Sequence, residues 1–126
     1  MVVGLGVDIV EIDRVRKALE NQPNMVERVF TPGEAEYCAA RQNQYQHFAG
    51  RFAAKEAALK ALGTGWAHGI RWRDVEVSSE PSGRPRIHFH GKAEAALESL
   101  GVGSALLSIT HARTYAVAVV ILERDS

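Results

Sequence analysis

The sequence has few of the features that mark secreted, disulfide-rich or membrane proteins. Its 126 residues include one cysteine, Cys38, which excludes an internal disulfide and a paired-cysteine metal site. The longest apolar run, Tyr115 to Leu122, is far shorter than the ~20 residues that a membrane-spanning helix needs. The first residues lack a basic segment and soon reach Asp8, so we expect no secretory signal and a cytoplasmic protein.

An excess of charge of one sign is also lacking, because 15 basic residues balance 15 acidic residues. Proteins that bind nucleic acid or anionic membranes usually carry a clear basic excess, so we expect neither partner. Residues 41–86 nevertheless contain eight basic and four acidic residues, which gives this segment a charge of +4. The segment is either an ordinary solvated surface or a site for a small molecule that bears phosphate groups.

Common catalytic motifs are missing as well. The sequence contains no P-loop, no nucleophile elbow and no zinc-protease helix. Gly4 and Gly6 begin a dinucleotide-like pattern, but Ile9 stands where its third glycine belongs. Any catalytic function must therefore be inferred from individual residues and their placement.

Composition and periodicity predict a globular α+β protein with one domain, residues 1–126. Hydrophobic residues make up 46% of the chain and charged residues 24%, which is typical of globular domains. Alternating apolar residues predict strands over 2–9 and around 75–77, 87–89, 106–110 and 115–122. Helical spacing predicts helices from Ile12 to about Leu19 and over 32–40, 45–62 and 92–100. A capping box from Thr31 to Glu34 marks the start of the second helix, and Gly63 marks the end of the third. We expect a largely antiparallel sheet packed with three to four helices.

The last predicted strand, Tyr115 to Leu122, is apolar at nearly every position. A strand of this composition is normally buried on both faces. We therefore expect a helix or another subunit to cover each face.

Asp8 is the first candidate for a functional role. It shares one face of the first strand with Gly4 and Gly6, which lack side chains. Glycines at such positions allow a ligand or another backbone to approach closely. Alternatively, Asp8 could cap the helix that follows.

The predicted long helix carries a stripe of mixed character. Phe52, Glu56, Leu59 and Lys60 fall on one side of it, and Lys55 borders that side. Charged and large apolar residues rarely share a face that is wholly buried or wholly solvated. The simplest alternative is a surface ion pair between Glu56 and Lys60, four residues apart.

Asp8 and Glu56 together suggest a more specific chemistry. Mg²⁺ usually binds one or two protein carboxylates and completes its shell with water and phosphate oxygens. Lysines beside such a site, here Lys55 and Lys60, neutralise the remaining phosphate charge. The combination predicts a site for Mg²⁺ and a phosphate-bearing substrate.

The histidines are less informative. His88 and His90 share one strand face, but no carboxylate or cysteine near them in sequence completes a metal site. His111 lies at the predicted hairpin turn, where it is either solvated or placed to bind an anion. His47 and His68 indicate no role on their own.

Four segments are spread along nearly the whole chain: Gly6–Ile12 with Arg14, Phe48–Lys60, Gly63–Gly65 and Ser108–His111. In order and spacing this set resembles the holo-[acyl-carrier-protein] synthases, the short, trimeric class of the 4′-phosphopantetheinyl transferases. The resemblance implies that fold and a Mg²⁺-dependent reaction used in fatty acid biosynthesis. The phosphopantetheine group of coenzyme A would pass to a serine of apo acyl carrier protein, with release of adenosine 3′,5′-bisphosphate.

The resemblance also implies roles for individual residues. Asp8, Glu56 and Lys60 would be catalytic, with Asp8 and Glu56 as the Mg²⁺ ligands and with Glu56 or a metal-held water as the base. The residues implied to bind coenzyme A are Arg51, Lys55, Lys60, Gly63, Thr64, Gly65 and His111. Arg14 and Arg28 would dock the carrier protein, and the active sites would lie between the subunits of a homotrimer.

Overall fold

Strands at both ends of the chain form the main sheet, and four helices lie between the first strand and the second. The structure, a computed structural model, describes residues 1–125. The strands are β1 (Val2–Glu11), β2 (Val75–Ser79), β3 (Pro85–Phe89), β4 (Val102–His111) and β5 (Tyr115–Arg124). The helices are α1 (Ile12–Asn21), α2 (Met25–Val29), α3 (Pro32–Ala39), α4 (Gln44–Leu62) and α5 (Gly91–Ser99). A 3₁₀ turn at Trp72–Asp74 precedes β2.

Both sheets are antiparallel, which confirms the predicted α+β class. The larger sheet has the strand order β1-β5-β4, and β2 pairs with β3 in a separate two-stranded ribbon. Residues 1–125 form five helices where three to four were expected, because the sequence did not predict α2. A five-residue helix is too short to repeat an apolar spacing, and Val29 is its one buried residue.

Capping residues mark the start of α3 and the end of α4 where the sequence predicts them. Thr31 Oγ1 accepts a hydrogen bond from the Glu34 backbone N–H at 3.2 Å, and Glu34 Oε1 accepts one from the Thr31 N–H at 2.8 Å. This is the predicted capping box of α3. Helix α4 ends at Gly63, whose left-handed backbone (φ +77°) also agrees with the prediction.

Helix α4 crosses the β1 and β5 strands on one face of the sheet at very short range. A Cβ atom on Gly6 would overlap the Ala57 carbonyl oxygen, and one on Gly4 would overlap the Ala61 carbonyl oxygen. The glycines of β1 therefore admit a helix backbone, which settles the alternative that the sequence left open. The main hydrophobic core lies between α4 and this face of the sheet, where Ala118, Val120 and Leu122 of β5 are buried beneath the helix.

The other face of the larger sheet lacks a cover within residues 1–125. Leu5, Val7 and Ile9 of β1 are more than half exposed on that face, and Leu106 of β4 is 43% exposed. A helix thus covers one face of β5, as expected, whereas nothing in the described part of the chain covers the other. No helix in residues 1–125 has both the length and the apolar character needed to cross a membrane.

Candidate active site

Asp8 and Lys60 meet where β1 passes beneath the end of α4. The Lys60 ammonium donates to Asp8 Oδ1 at 2.9 Å and to the Val7 carbonyl at 3.1 Å. Asp8 pairs with Ala118 inside the sheet and precedes the first residue of α1 by four positions. It therefore does not cap α1. Among residues 1–125, the carboxylate within ion-pair distance of Lys60 is that of Asp8, so the alternative surface pair with Glu56 is not formed.

Glu56 lies one turn before Lys60 on α4 and lines the same groove as Asp8. Burial raises the pKa of the Glu56 carboxyl above its usual range, and the nearby Asp8 charge raises it further. The Trp66 indole and Lys60 act in the opposite direction. The Asp8 charge is thus close enough to oppose ionisation of Glu56, and a cation bound between the two carboxylates would relieve that repulsion.

A groove of about 530 Å³ leads away from this acidic pair. Its polar end is formed by Asp8 and Glu56, and Arg14 of α1 stands along its side. Apolar residues, including Phe52 and Met25, line much of the remainder. The groove can therefore hold an extended ligand whose charged end meets the carboxylates.

Lys55 points away from the acidic pair, which differs from the role that the resemblance implied. Its side chain is 0% exposed, and its ammonium donates to Glu34 Oε1 at 2.9 Å and to the Trp72 carbonyl at 3.1 Å. The Val75 carbonyl accepts its third hydrogen bond. Burial lowers the pKa of Lys55, and Glu34 opposes that effect. With all three donors in use, Lys55 has none available for a phosphate.

Lys55 and Glu34 were each notable in the sequence, but nothing in the sequence indicated that they form a buried ion pair. Glu34 was recognisable as the capping residue of α3, and one of its oxygens also accepts from the Val77 N–H at 2.8 Å. Lys55 and Glu56 are adjacent on α4, so their side chains diverge by about 100° around the helix axis. Glu56 therefore faces the groove while Lys55 enters the core.

Arg51 and His111 belong to a second cluster at the opposite edge of the sheet. His111 is the last residue of β4, and its ring centroid lies 5.8 Å from that of His47. The His47 and Tyr37 rings are 5.7 Å apart, and the Arg51 guanidinium lies 4.2 Å from the Tyr37 ring centroid. These residues line a cavity of about 120 Å³.

The second cluster has the character of an anion site. Arg51 donates to Ser79 Oγ at 3.2 Å, and its buried Nε has no partner in residues 1–125. Burial lowers the pKa of His47, with the Arg51 and His111 charges acting in the same direction. The sequence alone indicated no role for His47 or Tyr37, although His47 precedes Arg51 by one helical turn and so shares its face.

The two clusters lie on different edge strands. Asp8 is on β1, His111 is on β4, and β5 runs between them. The structure thus joins Asp8, Glu56 and Lys60 in one group and Arg51 and His111 in another. A single chain does not bring all of the predicted site residues to one place.

The loop after α4 follows directly from the acidic group. Gly63 and Gly65 have positive φ angles, and the Thr64 hydroxyl donates to the Gly65 carbonyl at 2.9 Å. Trp66 then packs against Trp72, with ring centroids 3.8 Å apart. The sequence did not predict this aromatic contact near Glu56, because no periodic pattern links the two tryptophans.

The remaining candidates lie outside both clusters. Arg14 and Arg28 have no carboxylate within 4.0 Å in the described part of the chain, so both charges are free. His90 pairs with Glu76 at 3.0 Å, and His68 is in the loop before the 3₁₀ turn with φ +65°. Residues 1–125 contain no group of three or more residues able to hold a metal ion alone.

Comparisons with known proteins agree with this architecture. The family profile described as "4'-phosphopantetheinyl transferase superfamily" matches residues 4–120. The holo-[acyl-carrier-protein] synthase of Koribacter versatilis is 48% identical over 124 residues, with 98% of this chain and 99% of that protein covered. The protein of the same name from Solibacter usitatus is 46% identical, with the same coverage.

Solved structures show the same fold. The synthase from Bacillus anthracis, in complex with coenzyme A (3′,5′-ADP), superposes with a TM-score of 0.83 at 34% identity and covers 99% of each chain. The Neisseria meningitidis synthase gives a TM-score of 0.87 at 30% identity, covering 98% of this chain and all of that one. The chain belongs to the 4′-phosphopantetheinyl transferase superfamily and, within it, to the holo-[acyl-carrier-protein] synthase family. The resemblance drawn from the sequence is thereby confirmed.

Proposed function

We propose that the protein transfers phosphopantetheine from coenzyme A to a serine of apo acyl carrier protein in a Mg²⁺-dependent reaction. Adenosine 3′,5′-bisphosphate would be the second product, and the reaction would serve fatty acid biosynthesis in the cytoplasm. The observation that carries this proposal is the Asp8–Glu56–Lys60 group at the head of an open groove. The coenzyme A complex of the Bacillus anthracis relative supports the choice of donor.

The donor set fits Mg²⁺. Asp8 and Glu56 are two oxygen-ligand residues on separate elements, and burial together with the Asp8 charge raises the pKa of Glu56. Mg²⁺ takes few protein carboxylates and leaves positions for water and phosphate oxygens, so two residues suffice. When bound, the ion would neutralise charge on the pyrophosphate that is broken.

The chain's own residues would act around that group. Lys60 is held beside Asp8 and is 55% exposed, so its ammonium can reach a phosphate oxygen and stabilise the negative charge that develops there. Glu56, or a water held by the metal, would accept the proton of the attacking serine. Thr64 and the two glycines beside it would line the coenzyme, since their loop continues from the helix that carries Lys60.

The second cluster would bind the 3′-phosphate end of the coenzyme, with His111 and Arg51 as its cationic groups. Because the clusters lie on opposite edges of the sheet, we infer that each active site combines two chains. The uncovered face of β1, β5 and β4 would then be buried between subunits of a homotrimer. Lys55, which is fully paired in the core, would support this site without touching the coenzyme.

The apolar groove beside Arg14 would receive the carrier protein. Acyl carrier proteins present an acidic surface. Arg14 offers unpaired positive charge beside the groove, and Arg28 offers it on the neighbouring helix α2. Because neither charge is already neutralised by this chain, both are available to a partner. Because the chain has no basic excess, docking to an acidic carrier would depend on a few placed arginines rather than on bulk charge. We expect neither nucleic acid nor membrane as a partner.

Mixing of variants tests the shared site. Asp8→Ala and His111→Ala chains should each be inactive alone. After dissociation and random reassembly, about one site in four would combine an intact Asp8 from one chain with an intact His111 from its neighbour, so activity should return to about a quarter of wild type. As a control, Asp8→Ala mixed with Glu56→Gln should regain nothing, since both residues belong to the same half-site. No recovery in the first mixture would contradict the shared site.

A further inference from the structure

Three exposed arginines surround a cavity on the far side of α2. Arg28 projects from α2, and Arg71 and Arg73 flank Trp72 in the 3₁₀ turn. We call the three side chains the arginine surface. The cavity between them measures about 760 Å³ and is also bordered by Glu27, Asp74 and His90.

The positive charge of this surface is largely free. In residues 1–125, neither Arg28 nor Arg73 has a carboxylate within 4.0 Å. Arg71 lies 3.5 Å from Asp74 but keeps 82% of its side chain exposed. By contrast, Arg16 and Lys17 of α1 are both paired with Asp13. The lining of the cavity contains two acidic residues, Glu27 and Asp74, against the three arginines.

The arginine surface is continuous with the groove of the active site. Helix α2 borders both, with Met25 lining the groove and Arg28 lining the arginine surface. The helix also packs against the 3₁₀ turn. A partner seated over α1 and α2 would therefore reach the turn without leaving the protein surface.

The 3₁₀ turn that carries Arg71 and Arg73 packs closely against α4. Trp72 stacks on Phe52 of α4, with ring centroids 5.1 Å apart and planes inclined by 23°. Its carbonyl accepts a hydrogen bond from the buried Lys55 at 3.1 Å. The backbone positions that carry Arg71 and Arg73 are thus held against α4, which suits recognition of a defined acidic partner more than nonspecific attraction.

We propose that Arg71 and Arg73 bind acidic side chains of the carrier protein, so that its docking surface extends from α1 across α2 to the 3₁₀ turn. The inference rests on the proposed function, because the carrier protein is the partner named there. Charge complementarity of this kind mainly accelerates encounter and selects the partner. It should therefore affect the carrier protein and leave coenzyme A unaffected.

The test is the double variant Arg71→Glu/Arg73→Glu. We expect its KM and Kd for apo acyl carrier protein to rise on the order of tenfold at low salt, while its KM for coenzyme A changes less than about twofold. The difference from wild type should shrink as salt is added, because exposed charges are screened. Arg14→Glu gives the comparison within the groove and should weaken carrier use in the same way.

Two further variants separate the effect of these two arginines from a general effect of charge reversal and from disturbance of the turn. Arg86→Glu reverses an exposed arginine near the turn end of the β2–β3 ribbon, away from the 3₁₀ turn, and should leave the carrier KM unchanged. Arg71→Gln/Arg73→Gln should give a smaller loss of the same kind if charge reversal disturbs the turn. An unchanged carrier Kd in both double variants, or an equal loss for carrier and coenzyme, would overturn the inference.

Failure of the proposed function can be told apart from failure of this inference. Wild-type protein that binds the carrier but transfers nothing would contradict the proposed function. The Kd of the carrier, measured by titration calorimetry without coenzyme, would still decide whether Arg71 and Arg73 contact it.

Discussion

Gly6 and the carbonyl of Ala57 are so close that a single methyl group between them would overlap the oxygen. This contact brings the backbones of β1 and α4 together. Asp8 lies two residues beyond Gly6, and Glu56 directly precedes Ala57, so the same contact sets the position of both candidate metal ligands. The acidic pair is therefore a consequence of how the core packs.

Gly6→Ala should lower both stability and activity. The added methyl group forces β1 away from α4, which we expect to cost about 1–3 kcal/mol of unfolding free energy or more. The displacement also separates Asp8 from Glu56, so the transfer rate should fall even below the unfolding temperature. Urea unfolding and initial rates measure the two effects.

Gly33→Ala is the control for this substitution. Gly33 lies in the first turn of α3, where an added Cβ would meet no atom closer than 3.8 Å. Alanine there should stabilise the protein by roughly 0.5–1 kcal/mol, because glycine is the poorer helix former. Equal behaviour of the two variants would contradict the close approach of β1 and α4.

Asp8→Ala and Glu56→Gln should each abolish transfer while the fold remains intact. Each removes one ligand of a two-carboxylate site, so we expect rates at least about 100-fold lower. Circular dichroism should stay as in wild type, and any thermal stabilisation of wild type by Mg²⁺ should be lost. Glu98→Gln, an exposed acid on α5, is the control and should keep full activity. Near-wild-type turnover in either variant would refute the assignment.

Lys55→Met should mainly lower stability and Lys60→Met should mainly lower activity, although the two residues are only five positions apart on one helix. Loss of the fully buried Lys55 leaves Glu34 charged and unpaired in the core, which we expect to cost about 3–5 kcal/mol. Lys60 is 55% exposed, so its loss should change stability little and reduce transfer strongly. Urea unfolding and steady-state kinetics separate the two.

The Lys55 variant also decides between the core and the coenzyme as its partner. A stable Lys55→Met protein with a raised KM for coenzyme A would show that the lysine binds the coenzyme, as the sequence resemblance implied. Loss of stability in Lys55→Met, partly recovered when Glu34→Gln is added, would support the buried pair.

Cys38 should be unreactive in the folded protein. Burial raises the pKa of its thiol to about 11, well above the usual value, so little thiolate is present at mildly alkaline pH. Labelling by a disulfide reagent should be slow in native protein and fast in urea. Rapid labelling of the native state would contradict the placement of Cys38 in the core.

The same shift makes stability depend on pH in a defined direction. Above the ordinary thiol pKa the unfolded chain loses a proton that the folded chain keeps. The contribution of Cys38 to stability should therefore decrease as pH rises from about 9 towards 11. Comparison of wild type with Cys38→Ala by urea unfolding across this range isolates the effect.

Local patterns in the sequence were sufficient to predict most elements of the fold. The capping box at Thr31, the alternation of β1 and the helix end at Gly63 each depend on neighbouring residues, and each prediction is confirmed. The group of Asp8, Glu56 and Lys60 was also accessible, because a helical stripe and a glycine-rich strand face both pointed to it.

What the sequence did not predict depends on contacts between distant segments. Nothing local shows that Lys55 turns into the core to meet Glu34, 21 residues earlier in the chain. The separation of His111 from Asp8 follows from the strand order β1-β5-β4, which sequence periodicity does not determine. That Arg73 has no carboxylate partner in residues 1–125, and that Arg71 stays largely exposed beside Asp74, became evident only when the partners of the other cations were known.

The most direct test of the proposed function is the intact mass of apo acyl carrier protein after incubation with this protein, coenzyme A and Mg²⁺. Transfer should add roughly 340 Da, the mass of a phosphopantetheine group on serine, and none should be added when Mg²⁺ is removed with a chelator or Glu56→Gln replaces the wild type. A carrier protein of unchanged mass after incubation with wild type and Mg²⁺ would contradict the account.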